Sequence, residues 1–313
     1  MKRLLFTFLV VVVLLMLLEV VSRIALNHIY NRKFDSSLII DNKYFKTSGL
    51  KENATGMVWG KPFNTDQFAC RKDPKPYSPK KKKWLFIGDS VTEGVGVDDS
   101  STFAALTSQR IDSLNVMNYS LIGYADGEYL DVLKSLLSNN DSSVSKATIF
   151  FCLNDVYGRN KNEELPAMAR PNLLGKINSL LQNDYATYKL IKLFFYQNSA
   201  SYFKYDSRFY KADDILFTKS MNYLRQCNEV CKNAGVEMNV VMLPYRSQLT
   251  NPENSRNPQD MVRNFCVKQH ISFSDPMNFL SGAQNPKDLY LFADEIHFSK
   301  TGHKMMADYI LTH

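Results

Sequence analysis

At 313 residues, with 45% hydrophobic side chains, the chain can hold one α/β domain of ordinary to large size plus an appendage. Its formal charge of +7 comes from Lys and Arg interleaved with Asp and Glu, without the basic helix stripe or aromatic–basic repeat of a nucleic-acid module. The excess is read as a solvated face, or as one turned to anionic envelope polymers or lipids. Cys70, Cys152, Cys227, Cys231 and Cys266 form no metal or redox spacing; Cys152, Cys227 and Cys231 are read as small buried apolar residues, and no metal or cofactor is expected.

Residues 4–18 carry no charge and are almost wholly aliphatic, Val20-Val21 extend the run past Glu19, and Lys2-Arg3 precede it. Such a segment is a secretory signal peptide or an uncleaved signal anchor. No convincing small-x-small cleavage site comes after it, and the length suits a tilted or thinned span. Lys2-Arg3 favour a cytoplasmic amino terminus, although Arg23, Arg32 and Lys33 weaken the asymmetry. Residues 1–23 are therefore read as a single-pass membrane anchor, with the remainder in the periplasm or on the cell surface; secretion after cleavage is the alternative. Residues 24–83, rich in polar residues, Gly and then Pro, read as a juxtamembrane connector with one or two short strands.

The stretch WLFIGDSVTEG at 84–94 organises the rest of the chain. Trp84 to Ile87 are apolar on both faces, as in a buried strand. Gly88 permits a sharp turn, and Ser90 stands just past the carboxyl end of that strand, where open α/β sheets place their chemistry. Ser100 or Ser101 can cap a helix reaching about Leu114. A strand at 116–119 leads to Gly123, a helix comes next at 126–137, and a strand at 147–153 delivers Asn154-Asp155 to the same edge. Residues 156–211, with many aromatics and a helix-like stretch at 185–196, read as an insertion over or beside the site, the alternatives being ordinary core or a membrane-facing patch. A helix at 213–234 closed by Gly235, a strand at 236–244, a helix at 258–269 and a strand at 271–276 complete the alternation. Asp294 and His297 then fall in the loop before a terminal helix that Ser299 can cap.

An Asp three residues before a His can hold the imidazole in one tautomer while its other nitrogen faces a nucleophile, so Ser90, His297 and Asp294 form a candidate triad. Among the other histidines, His303 is the rival base, but only His297 has an Asp so placed.

At these residues the chain resembles the SGNH (GDSL-type) hydrolase family. GDSVTEG at 88–94, NYSLIGY at 118–124, LND at 153–155 and DEIH at 294–297 match its four blocks in order. The resemblance covers residue 84 to the C-terminus and implies a three-layer α/β/α sandwich with a mainly parallel, five-stranded, doubly wound sheet of flavodoxin-like kind. It implies that the backbone N–H groups of Ser90 and Gly123 and the side-chain amide of Asn154 form an oxyanion hole. Asp89, Tyr124, Asp155, Tyr245 and Arg246 are candidate substrate-binding residues. One departure is Cys152, where the third block usually has Gly. The function expected is a membrane-anchored serine esterase acting on an acyl, in the first place acetyl, ester of a carbohydrate or envelope glycan. Alternatives are an O-acyltransferase using the same triad with a membrane-bound acyl-donor partner, a lipase or lysophospholipase, and a catalytically silent glycan-binding protein.

Overall fold

The computed structural model describes residues 2–29, 32–138, 142–158, 185–195, 199–250, 255–292 and 294–313. The chain forms two compact units, one from residues 1–32 and 161–198, the other from 33–160 and 199–313.

In the first unit, helix α1 (Lys2–Ile29) carries the aliphatic run, with a mean hydropathy of 3.1 and no burial in its most apolar window. By length and composition it can cross a membrane, being about 40 Å long at 1.5 Å per residue. Its one carboxylate has a local structural task. Glu19 accepts hydrogen bonds from the backbone N–H groups of Ala186 (2.8 Å) and Thr187 (2.9 Å), capping the open end of helix α5 (Ala186–Phe195).

The second unit is built on a parallel sheet of β5 (Lys82–Gly88), β6 (Leu114–Asn118), β7 (Val144–Phe151), β8 (Glu237–Met242) and β9 (Ser272–Ser274), in the order β6-β5-β7-β8-β9. Chain direction reverses across the sheet after β6. Right-handed crossovers therefore put the helix that joins β5 to β6 on the face opposite the later ones. Accordingly α3 (Phe103–Arg110) packs with the terminal helix α11 (Lys300–Thr312), and α4 (Asp126–Leu137) packs with α7 (Ile215–Asn233). Helices on both faces explain why β5 and β7 are apolar on both sides. Phe86, Phe103 and Phe150 meet with ring centroids 4.8 to 6.1 Å apart, and Trp84 donates its indole N–H to Thr148 Oγ1 at 2.9 Å. Emptying such a site by a Phe→Ala change typically costs ~3–5 kcal/mol.

Three expectations are corrected. Thr102, not Ser100 or Ser101, caps α3 by accepting from the Ala105 N–H, because Ser101 is taken up in a 3-10 turn (Asp99–Ser101). That helix stops at Arg110, since Ile111 is already extended and Leu114 opens β6. The connector is also more structured than one or two short strands. It holds two antiparallel hairpins, β1 (Ile39–Tyr44) with β2 (Thr47–Leu50) and β3 (Thr55–Val58) with β4 (Lys61–Asn64), within the same unit as the sheet.

Arg71 fastens this segment to the loop after the carboxyl end of β5. Its guanidinium, 4% exposed as a residue, donates to the carbonyls of Glu93 (2.7 Å), Gly94 (2.5 Å) and Val97 (2.6 Å) and to Asp99 Oδ1 (2.9 Å). The 156–211 insertion divides: helix α6 (Ser199–Asp206) belongs to the sheet's unit, where Tyr157 and Tyr245 both donate to Asp206, and α5 to the other. Residues 159–184 and 196–198 of the expected lid lie outside the described residues.

Candidate active site

Strand β5 ends where its backbone must pass between neighbours. A Cβ on Gly88 would stand 2.2 Å from Thr92 Oγ1 and 3.1 Å from the Phe150 carbonyl oxygen, so no side chain fits. Asp89 then caps α2 (Ser90–Glu93), accepting from the Val91 N–H at 2.9 Å, and Gly94 at φ 84° closes this single turn. Ser90 is thereby the first helical residue after the strand, with its hydroxyl lifted off the sheet edge and its N–H at a helix N-terminus.

The loop before α11 brings the histidine to it. Asp294 Oδ1 accepts from the N–H groups of Ile296 (2.8 Å) and His297 (2.9 Å). Both carboxylate oxygens also lie 3.0 to 3.1 Å from His297 Nδ1. Facing a carboxylate, Nδ1 must carry the proton, which leaves Nε2 as the acceptor. Nε2 is 2.8 Å from Ser90 Oγ. An isolated bridge between Tyr290 and Phe298 closes the loop, and the buried Arg246–Glu295 ion pair, with the Arg246 N–H on the Glu295 carbonyl at 2.9 Å, ties it to the end of β8. His303 is elsewhere. Fully buried, it accepts from the Phe103 N–H at 3.1 Å, and burial pushes its pKa down to about 3, so it stays neutral.

Gly123 and Asn154 reach the same edge from the two strands beside β5. Gly123, exposed and at φ 81°, sits in the turn after β6, where the Leu121 N–H bonds the Gly88 carbonyl (3.4 Å) and the Ile122 N–H bonds Glu93 Oε2 (2.8 Å). Asn154 lies in the 3-10 turn Leu153–Tyr157 after β7, whose Phe150 is in register with Gly88. It is partly exposed, with the oxygen of its amide enclosed. The crevice between the ends of β5 and β7 is the topological switch point of a sheet in this order.

The five residues considered for substrate binding are buried instead. Asp89 is the α2 cap, Tyr124 donates to the Ser48 carbonyl, and Tyr245 donates to Asp206 Oδ2 at 2.6 Å. Asp155 accepts from Tyr129 Oη and from the Cys152 N–H, both at 2.7 Å, and Arg246 is held by Glu295. Each comes after a strand end, but each side chain turns inward to brace the loops. Burial raises the pKa of Asp155 well above the carboxylate range, as does nearby Asp89; Asp89 is raised by its own burial, partly offset by His297.

Sequence reasoning missed Trp59. Its indole meets the His297 ring at a centroid distance of 4.5 Å and an interplanar angle of 63°. The only local signal was the Trp59-Gly60 pair between two short apolar-polar runs, a hairpin turn outside the four blocks.

Residues 85–310 match the GDSL-like lipase/acylhydrolase family. Similar solved structures include TesA (15% identity, TM-score 0.46, covering 74% of this chain and 97% of that one). A lipolytic protein of the G-D-S-L family from Veillonella parvula is similar too (16% identity, TM-score 0.45, 74% and 97% covered). So is a catalytic mutant of the acetylxylan esterase Axe2 from Geobacillus stearothermophilus (15% identity, TM-score 0.45, 74% and 93% covered). No curated protein sequence matches the chain.

Proposed function

The chain belongs to the GDSL-like lipase/acylhydrolase family, and from that premise we propose that it is a serine esterase whose triad is Ser90, His297 and Asp294, acting on an acetyl ester of a carbohydrate or envelope glycan. The observation that carries this reading is the 2.8 Å contact between Ser90 Oγ and an imidazole whose far nitrogen is clamped by Asp294. Ser90 Oγ attacks the acyl carbon as Nε2 takes its proton. The carbonyl electrons move onto oxygen, where the N–H groups of Ser90 and Gly123 and the amide of Asn154 receive the charge. The C–O bond to the alcohol then breaks, Nε2 protonates the departing oxygen, and an acyl-enzyme remains. Water, activated by the same nitrogen, releases the acid.

A second reading, transfer of the acyl group to a sugar hydroxyl, has one observation in its favour. Trp59 covers one side of His297, whose side chain is only 12% exposed, and a shielded base slows attack by water. In both readings α1 serves as a membrane anchor, with Lys2-Arg3 on the cytoplasmic side and the catalytic unit opposite.

The test is turnover of p-nitrophenyl esters of rising chain length by the full chain in detergent. Fastest release from the acetyl ester is expected. A maximum at long chains would point to a lipase instead, and acyl transfer to an added glycoside exceeding hydrolysis would favour the transferase.

A further inference from the structure

The mechanism fixes which half of a substrate lies beside His297. Nε2 returns its proton to the oxygen of the departing alcohol, so the alcohol, not the acyl chain, must come within hydrogen-bond reach of that nitrogen. A side chain packed on the imidazole, other than the carboxylate that holds Nδ1, is therefore a candidate wall of the alcohol subsite. Here that neighbour is Trp59, partly exposed and 4.5 Å from the His297 ring centroid.

The turn that carries Trp59 would be better made by another residue. Val58 pairs with Lys61, leaving Trp59 and Gly60 as a two-residue hairpin loop with φ of 50° and 73°. Positive φ at both positions is the type I′ geometry that favours Asn-Gly or Asp-Gly. Gly60 suits it, whereas a bulky aromatic at the first position is strained, and such strain persists only where surrounding structure holds it. The surroundings do so from both sides. The Trp59 N–H donates to the Lys33 carbonyl (2.8 Å), and Phe34 bridges to Val58. On strand β4, Asn64 donates to Asp99 Oδ2 (2.7 Å), the carboxylate that Arg71 also holds. A hairpin from outside the family-matched residues 85–310 thus holds an indole at the reacting base, against the preference of its own turn.

Resting on the esterase reading above, we propose that Trp59 is the specificity-determining wall of the alcohol subsite, its indole receiving the C–H face of a sugar ring in the leaving or accepting alcohol. An indole presents a broad, apolar, electron-rich face. The polarised C–H bonds on one side of a pyranose match it in area and in charge, and a short alkyl alcohol covers little of it. A residue that merely orients His297 would affect every ester alike; a sugar platform discriminates by alcohol.

The experiment compares two acetyl esters that differ only in the alcohol, ethyl acetate and an O-acetylated methyl glucoside, with the full chain in detergent. Trp59→Ala is expected to lower kcat/KM on the sugar ester by at least ~30-fold, mainly through KM, and on ethyl acetate by less than ~3-fold. Trp59→Phe, which keeps a ring in place and guards against a folding defect in the alanine variant, should recover most of the loss. Equal losses on the two esters, or no loss on the sugar ester, would overturn the proposal. A wild type that turns over neither ester would instead bring down the esterase reading on which it rests.

Discussion

Asp294 does two things with one carboxylate: it accepts two backbone N–H groups that shape the loop, and it faces His297 Nδ1. Asp294→Asn should keep the first and spoil the second, because an amide NH2 turned to Nδ1 demands the other tautomer. A fall in kcat of about 10⁴-fold with a nearly unchanged melting temperature is expected, and retention of a tenth of the activity would speak against the assigned role. In the proposed mechanism Asn154 acts only on the charge that develops in the transition state. Asn154→Ala should therefore lower kcat ~10²–10³-fold while KM stays within about threefold; a change confined to KM would make it a binding residue. The contact of Ser90 with His297 and Asp294 was legible because a Ser just past a strand end and an Asp three residues before a His late in the chain are the residue types such a cluster needs. The inward turn of Tyr245, Arg246 and Asp155 was not, since a residue after a strand can brace a loop as readily as face a ligand, and partners such as Asp206 and Glu295 are distant in sequence. Trp59 was illegible for the same reason.

The single turn α2 depends on two buried ionisable groups that the mechanism does not use. Arg71 gathers the carbonyls that come after Ser90, and Glu93, within α2, accepts the Ile122 N–H next to Gly123. Burial raises the Glu93 pKa from 4.5 to about 8, with Arg71 partly opposing. Between those values the folded protein keeps a proton that the unfolded chain has lost. Stability from this group is thus full below about pH 4.5 and is lost as pH rises towards about 8. Glu93→Gln keeps the acceptor for Ile122 and has no proton to lose. Its urea midpoint relative to wild type should climb between about pH 5 and about pH 8; a difference that stays flat would show that Glu93 titrates normally. Strands and caps of this kind were largely readable: Ser299 caps α11 through the Gly302 N–H, and Gly235 at φ 69° closes α7. The hairpins of residues 39–64 were not, because strands of four to six residues with mixed burial leave little periodic signal.

Taken whole, the five-stranded doubly wound sheet results from strands alternating with helices, a pattern the sequence shows plainly from residue 84 onward. It does not show that residues 33–83 belong to the same compact unit and supply both Arg71 and Trp59 to the functional edge. All five cysteines are free and buried, and burial pushes the thiols of Cys231 and Cys266 up to about 12. Native protein should accordingly keep its activity under iodoacetamide at neutral pH, and rapid inactivation would place a reactive thiol near the site. Ser90 as the nucleophile, driven by His297, is put to the test by fluorophosphonate labelling of the full chain, with peptide mapping of the adduct and parallel turnover of p-nitrophenyl acetate. One label per chain on Ser90 is expected, with both signals reduced at least ~10³-fold in Ser90→Ala and in His297→Ala. A label elsewhere, or a His297→Ala variant within about tenfold of wild type, would contradict that assignment.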